Sequence, residues 1–130
     1  MKIIITFGTF DMFHYGHVRI LERARSLGDR LIVGLSTDEF NLEKKNRIPI
    51  FTFKHRKAIL ESLRCVDEVF PEESLELKSQ YIKDHRGDLL VMGDDWEGKF
   101  DEVDVDVVYL ERTRDLSTTD YINNIVDYYK

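Results

Sequence analysis

Apolar residues in this chain fall into short runs bounded by charged or turn-forming residues, and the segments between the runs carry a different period. Lys2 to Phe7, Arg30 to Leu35, Asp67 to Phe70, Leu89 to Met92 and Val107 to Leu110 are such runs and predict strands. Val18, Leu21, Ala24, Arg25 and Leu27 follow an i, i+3, i+4 stripe closed by Gly28, and Ala58, Ile59, Ser62, Leu63 and Val66 form a second stripe. Leu75 to His85, ending before Gly87, reads as a further helix. A last helix begins near Ser117, where Ser117 and Asp120 resemble a capping box, and continues through Ile122, Ile125, Val126 and Tyr129.

Strands alternating with helices imply parallel strands joined by crossovers. The predicted fold is therefore α/β: a Rossmann-like, doubly wound, five-stranded parallel sheet with helices on both faces. Ligands of such sheets bind beyond the carboxyl ends of the strands, where strand order reverses. Four polar, turn-rich segments follow predicted strands: Gly8 to His17, Ser36-Thr37-Asp38, Gly93-Asp94-Asp95-Trp96, and Arg112 to Thr119. All four are expected at one edge.

The 130 residues are expected to form a single domain over 1–130, long enough for a covered sheet and too short for a second core. There is no run of ~18 apolar residues to span a bilayer. Met1-Lys2-Ile3 leads straight into a strand, so a cytoplasmic location and no membrane partner are expected. Cys65 is read as a buried structural thiol. A net charge of -6 argues against nucleic acid as a partner. The charge is uneven, however: Lys44, Lys45, Arg47, Lys54, Arg56 and Lys57 cluster between Glu43 and Lys57, a patch suited to a small polyanion. Within it Lys45, Lys54 and Lys57 are taken as solvated charges.

The most telling local feature is His14-Tyr15-Gly16-His17, set between the first strand and the first helix. A helix N-terminus presents unpaired N–H groups and a positive dipole end, and two imidazoles at that point add donors. Gly8 and Gly16 are expected to let the backbone approach a ligand closely. Zinc needs three or four ligands, and with no Cys pair and only His55 and His85 elsewhere, phosphate is the better guest. Ser117, Thr118 and Thr119 bring hydroxyls and N–H groups to a second helix start, which suits the distal phosphates of a nucleoside triphosphate. No activated nucleophile stands out. A second substrate carrying its own phosphate would need only that two anions be held in line while charge builds on the α-phosphate.

Neither a Gly-x-Gly-x-x-Gly nor a Walker A sequence follows the first strand. Instead, Gly8-Thr9-Phe10-Asp11 with His14-x-Gly16-His17, Ser36 to Asn41, Val66-Asp67-Glu68-Val69, Val91 to Gly98, and Arg112-Thr113 through Ser117-Thr118-Thr119 together resemble the HxGH nucleotidyltransferase superfamily, and within it the small glycerol-3-phosphate cytidylyltransferases. The resemblance covers nearly the whole chain. It implies transfer of CMP from CTP to sn-glycerol 3-phosphate, with Mg²⁺ on the triphosphate, by a homodimer. On matching positions it implies that His14 and His17 bind phosphate and stabilise the transition state, and that Thr9, Phe10 and Gly16 line the nucleotide site. Asp11 would assist the metal-bound triphosphate or orient its loop. Asp94, Arg112 and Thr113 would serve the nucleotide, and Ser117 and Thr118 the distal phosphates. Lys44 would reach the α-phosphate or the acceptor phosphate, with Arg56 and Arg64 as further acceptor-phosphate ligands. The apolar loop residues Ile48, Pro49, Ile50, Phe51 and Phe53 would serve as an interface or a lid.

The chain departs from the family pattern at Arg114 and Asp115, where the family has Glu and Gly, at Asn46 within a Lys-x-Lys pair, with Arg47 as a substitute, and at Ser74, near a Trp of close relatives. These positions bear on the acceptor. The alternatives are transfer of CMP or AMP to another phosphorylated alcohol and a non-catalytic nucleotide-sensing module. The second would be marked by loss of a histidine or of Lys44, and all three are retained.

Overall fold

A computed structural model describes residues 1–112 and 117–130. Five strands form one parallel sheet: β1 (Ile3–Gly8), β2 (Arg30–Ser36), β3 (Glu68–Glu72), β4 (Leu89–Gly93) and β5 (Asp106–Leu110). Their order is β3-β2-β1-β4-β5, so strand order reverses between β1 and β4. The doubly wound prediction holds, and each strand lies within two residues of its apolar run. Pro71 sits in the edge strand β3, where the missing N–H costs no second ladder.

Side chains alternate between two cores because successive strand residues face opposite sides. Ile4, Leu31, Val33, Leu35, Leu89 and Val91 pack with Leu21 and Ala24 of helix α1 (Tyr15–Arg25) and with Leu60 of α3 (Phe53–Glu61). Ile5, Phe7, Ile32, Phe70, Leu90 and Met92 pack with Ile82 of α4 (Lys78–Asp84) on the other face.

The helices differ from expectation in instructive ways. The structure adds a helix, α2, over Asp38–Lys45, whose signals are present in the sequence. The Thr37 hydroxyl accepts from the Phe40 N–H, Asp38 and Glu39 occupy the first turn, Lys44 and Lys45 the last, and Asn46 closes it at φ 58. The stripe ending at Val66 overran α3, which starts earlier behind the Thr52 cap and stops at Glu61. Leu63 and Val66 reach the core from the turn that follows. Helix α4 begins at Lys78 rather than Leu75, with Leu75 and Leu77 exposed. The predicted start at Ser117 is correct: its hydroxyl accepts from the Asp120 N–H at 3.1 Å and opens α5 (Thr118–Tyr128). Cys65 is half-buried against the first core rather than enclosed, and its burial raises the thiol pKa.

Candidate active site

A cavity of about 540 Å³ lies at the carboxyl edge, where β1 and β4 diverge. One side is the β1–α1 loop. Gly8 ends β1, and a Cβ there would meet the Phe10 ring at 2.7 Å, so this glycine makes room for a neighbouring ring rather than for a ligand. The sharp turn is carried by non-glycine residues, Phe10 at φ 50 and Met12 at φ 48, a conformation that costs energy unless the surroundings impose it.

Asp11 supplies part of that constraint. Its carboxylate accepts from the N–H groups of Met12 (3.0 Å), Ile50 (2.7 Å) and Phe51 (2.8 Å). Of its two expected roles, orienting the loop is the one the geometry fits. Arg56 completes the clasp. It is 1 % exposed, donates from Nε to the Phe51 carbonyl and from Nη1 to the carbonyls of Thr9 and Ser36, and pairs with Asp38 at 2.7 Å. Arg56 is therefore corrected from an acceptor-phosphate ligand to a buried tie between three loops. Asn41, also buried, accepts from the Thr9 hydroxyl at 2.8 Å and donates to the Arg47 carbonyl at 2.8 Å.

The two histidines stand at the start of α1. His14 is the N-cap: its Nδ1 accepts from the Gly16 N–H at 3.1 Å, while the Nδ1 of His17 accepts from the His14 N–H at 3.3 Å. With both Nδ1 atoms acting as acceptors, each neutral ring carries its proton on Nε2. The His14 Nε2–H lies 3.4 Å from the Thr118 hydroxyl, which donates onward to the Asp11 carbonyl at 3.0 Å. The imidazoles stack at 3.7 Å, and Phe10 and Phe13 each lie 5.3 Å from the His17 ring. Burial, then the neighbouring His14 and Lys45, pull the His17 pKa down to about 3, and burial also lowers that of His14. Both are neutral, directional donors at neutral pH.

Across the cavity lie Ser117, Thr118 and Thr119 at the start of α5, and Arg112, whose guanidinium is 3.7 Å from Asp95 at the exposed rim. Lys45 and Arg47 also line the cavity. Lys45, still exposed, is thus corrected from a merely solvated charge to a residue of the cavity wall, and Arg47 lines the same cavity. Trp96 forms a wall, and Asp95 lines the cavity in the position expected of Asp94, which lies outside it.

Lys44 faces a smaller, contiguous cavity of about 50 Å³ that shares Phe7, Gly8, Thr9, Lys45, Met92 and Trp96 with the first. Its Nζ donates to the Ser36 hydroxyl at 2.7 Å, and that hydroxyl bonds Glu72 at 3.3 Å. Lys78, 4 % exposed, pairs with the other oxygen of Glu72 at 2.9 Å and lies 3.9 Å from the Phe7 ring centroid. Burial lowers the pKa of Lys44 to about 8 against the raising effect of Glu72, and it lowers that of Lys78 too. Lys44, Lys45 and Lys78 against Glu72 leave this pocket with an excess of positive charge. Lys78 had no signal in the sequence: a lysine in a polar stretch reads as surface.

Two expected residues are elsewhere or undescribed. Arg64 is exposed in the turn before β3, where the Asp67 N–H bonds the Leu31 carbonyl at the start of β2. It lies at the amino-terminal edge, outside both cavities, and is corrected accordingly. Thr113, with Arg114 and Asp115, lies outside the described residues.

Comparison with known proteins shows the family. The cytidylyltransferase-like family matches residues 5–124. Glycerol-3-phosphate cytidylyltransferase of Bacillus subtilis (strain 168) is 56 % identical over 121 residues, spanning 92 % of this chain and 93 % of that protein. The enzyme of that name from Staphylococcus aureus is 48 % identical, spanning 92 % and 91 %. Among solved structures, the lipopolysaccharide core biosynthesis protein from Thermoplasma volcanium superposes with a TM-score of 0.75 at 25 % identity, over 87 % of this chain and 98 % of that one.

Proposed function

This chain belongs to the cytidylyltransferase-like family, and on that premise we propose that it transfers CMP from CTP to sn-glycerol 3-phosphate, giving CDP-glycerol and pyrophosphate. The observation that carries this reading is the adjoining of two unlike anion sites: a cavity with paired neutral histidine donors, and a lysine-rich pocket sharing one wall with it.

The triphosphate occupies the larger cavity, its α-phosphate against His14 and His17 and its distal phosphates at Ser117 and Thr118. The N–H groups at two helix starts favour negative charge there. The acceptor phosphate lies towards Lys44 and Lys78. One of its oxygens attacks the α-phosphorus in line as the bond to the bridging oxygen of the departing pyrophosphate breaks. No enzyme nucleophile and no proton transfer are required. What the protein supplies is position, and donors whose hydrogen bonds strengthen as charge grows on the non-bridging oxygens. Neutral imidazoles suit this because their Nε2–H groups point from rings fixed at Nδ1. Thr9 and Phe10 shape the nucleotide side of the wall, and Arg112 and Asp95 its rim.

Mg²⁺ enters on the same premise. It prefers oxygen ligands and retains water, and it is commonly held by substrate phosphates with one or two carboxylates. Among the described residues no group of three or more His, Cys, Asp or Glu could hold a metal, and Asp11 is committed to three backbone N–H groups. The residues fit an ion carried by the triphosphate, where it would neutralise the β- and γ-phosphates. A single domain, a homodimer covering the exposed Ile48 and Ile50, and a cytoplasmic location belong to the same reading. No described helix is long and apolar enough to cross a membrane.

The test is pyrophosphate release from CTP and Mg²⁺ with and without glycerol 3-phosphate. Release that depends on the acceptor and vanishes in His17→Ala supports the reading. Release only with ribitol, choline, ethanolamine or flavin phosphate would keep the transfer and replace the acceptor. CTP binding without turnover of any acceptor would leave a nucleotide-sensing module.

A further inference from the structure

Helix α5 contributes no buried residue to either hydrophobic core, and Ile125, Val126, Tyr128 and Tyr129 are exposed. Its first turn is nevertheless tied to the site through the Thr118 hydroxyl. Three residues on, and so on the same helix face, Tyr121 is half-buried with its ring centroid 4.8 Å from that of His14 at an interplanar angle of 45°. Core packing does not explain this aromatic, which lies outside both clusters. His14 thereby contacts two rings, His17 at 3.7 Å and Tyr121 of α5 at 4.8 Å.

An imidazole needs such help. Rotation about its ring torsion is broad and intrinsically weakly restricted. The Gly16 N–H holds one edge of the ring through Nδ1 at 3.1 Å, whereas the opposite edge has only the longer 3.4 Å contact from Nε2 to the Thr118 hydroxyl, and swinging of that edge would misdirect the Nε2–H. Hydrogen bonds weaken steeply as their angle closes, and small misplacements of a donor at a reacting centre have large kinetic effects.

We propose that Tyr121 is a positioning residue for His14, its ring aiming the His14 Nε2–H at the reacting phosphate and linking that aim to the seating of α5. The proposal rests on the nucleotidyl-transfer reading above. The ring makes the contact, so Tyr121→Phe should act as the wild type, while Tyr121→Leu, which keeps an apolar side chain and helix propensity, should not.

The experiment measures kcat and KM for CTP and glycerol 3-phosphate in wild type, Tyr121→Phe, Tyr121→Leu and Tyr121→Ala, alongside the His14 Hε1 resonance in ligand-free protein. We expect kcat to fall about tenfold in the Leu and Ala variants, about the size of one aromatic pair, with both KM values within about twofold. The Phe variant should keep wild-type kcat, and the ring-current shift on His14 Hε1 should persist in Phe and be lost in Leu. Wild-type kcat in Tyr121→Leu, equal impairment of the Phe and Leu variants, or a change confined to KM would overturn the proposal. If the wild type turns over no glycerol 3-phosphate, the functional reading fails, and the resonance still decides the contact: equal His14 shifts in wild type and Tyr121→Leu overturn it.

Discussion

In the proposed reaction the histidine end and the lysine pocket would both handle anions, but by opposite means. His14 and His17 come from one helical turn, are neutral, and owe their orientation to the backbone N–H groups that their Nδ1 atoms accept. Lys44, Lys78 and Glu72 come from α2, α4 and β3, are charged, and meet only because three elements pack against Phe7 and Ser36. The first arrangement offers direction, which a transition state of changing geometry can use. The second offers charge that is already offset by Glu72 and Phe7, so it suits an anion that must be held and then released as part of a product.

The contrast breaks most severely at Lys78. Lys78→Met strands the carboxylate of Glu72, itself 1 % exposed, and removing one partner of a buried pair costs about 3–5 kcal/mol. Urea unfolding should show that loss, and Lys78→Met with Glu72→Gln should recover most of the stability while the KM for the acceptor stays raised. Recovery of the acceptor KM as well would mean that the pocket is structural.

At the histidine end the larger effect should be kinetic. His17→Ala removes a donor aimed at developing charge, with an expected loss of about 10²–10³ in kcat, or ~3–4 kcal/mol of barrier. CTP affinity, read from quenching of Trp96, the single tryptophan and a wall of both cavities, should change far less.

Acid sharpens the comparison further. His17 has an ordinary value of 6.5 and a folded value of about 3, so between those pH values the unfolded chain binds a proton that the folded chain refuses. Stability therefore rises with pH across this window and is lost as pH falls from about 6.5 towards about 3. Urea midpoints at pH 7 and pH 5 should differ, and His17→Asn, which keeps an acceptor for the His14 N–H, should flatten that difference. The smallest effect belongs to Lys45→Ala at the exposed side of the cavity: a several-fold rise in the KM for CTP that shrinks in high salt.

The legible parts of this chain were those whose physics is local. Apolar runs gave the five strands, since side chains buried on a sheet leave a pattern in adjacent residues. His14-x-Gly16-His17 and Ser117-Thr118 announced the site because a helix start carries its unpaired N–H groups with it. Helix α2 is also written in caps and end charges, and of its two terminal lysines only Lys45 reads as a solvated charge.

Non-local relations were decided by tertiary structure. A guanidinium in a basic stretch looks like a phosphate ligand, and only the convergence of the Thr9, Ser36 and Phe51 carbonyls with Asp38 turns Arg56 into an internal tie. Lys78 reads as surface until α4 seats it on Phe7 beside Glu72, and Tyr121, outside the stripe of Ile122, Ile125, Val126 and Tyr129, shows its partner only when α5 sets it on His14. The sequence by itself determined the sheet, its binding edge and the paired histidines, because each follows from neighbours along the chain. Packing alone decided which charges face the ligand and which are spent inside, because that depends on groups brought together from distant positions.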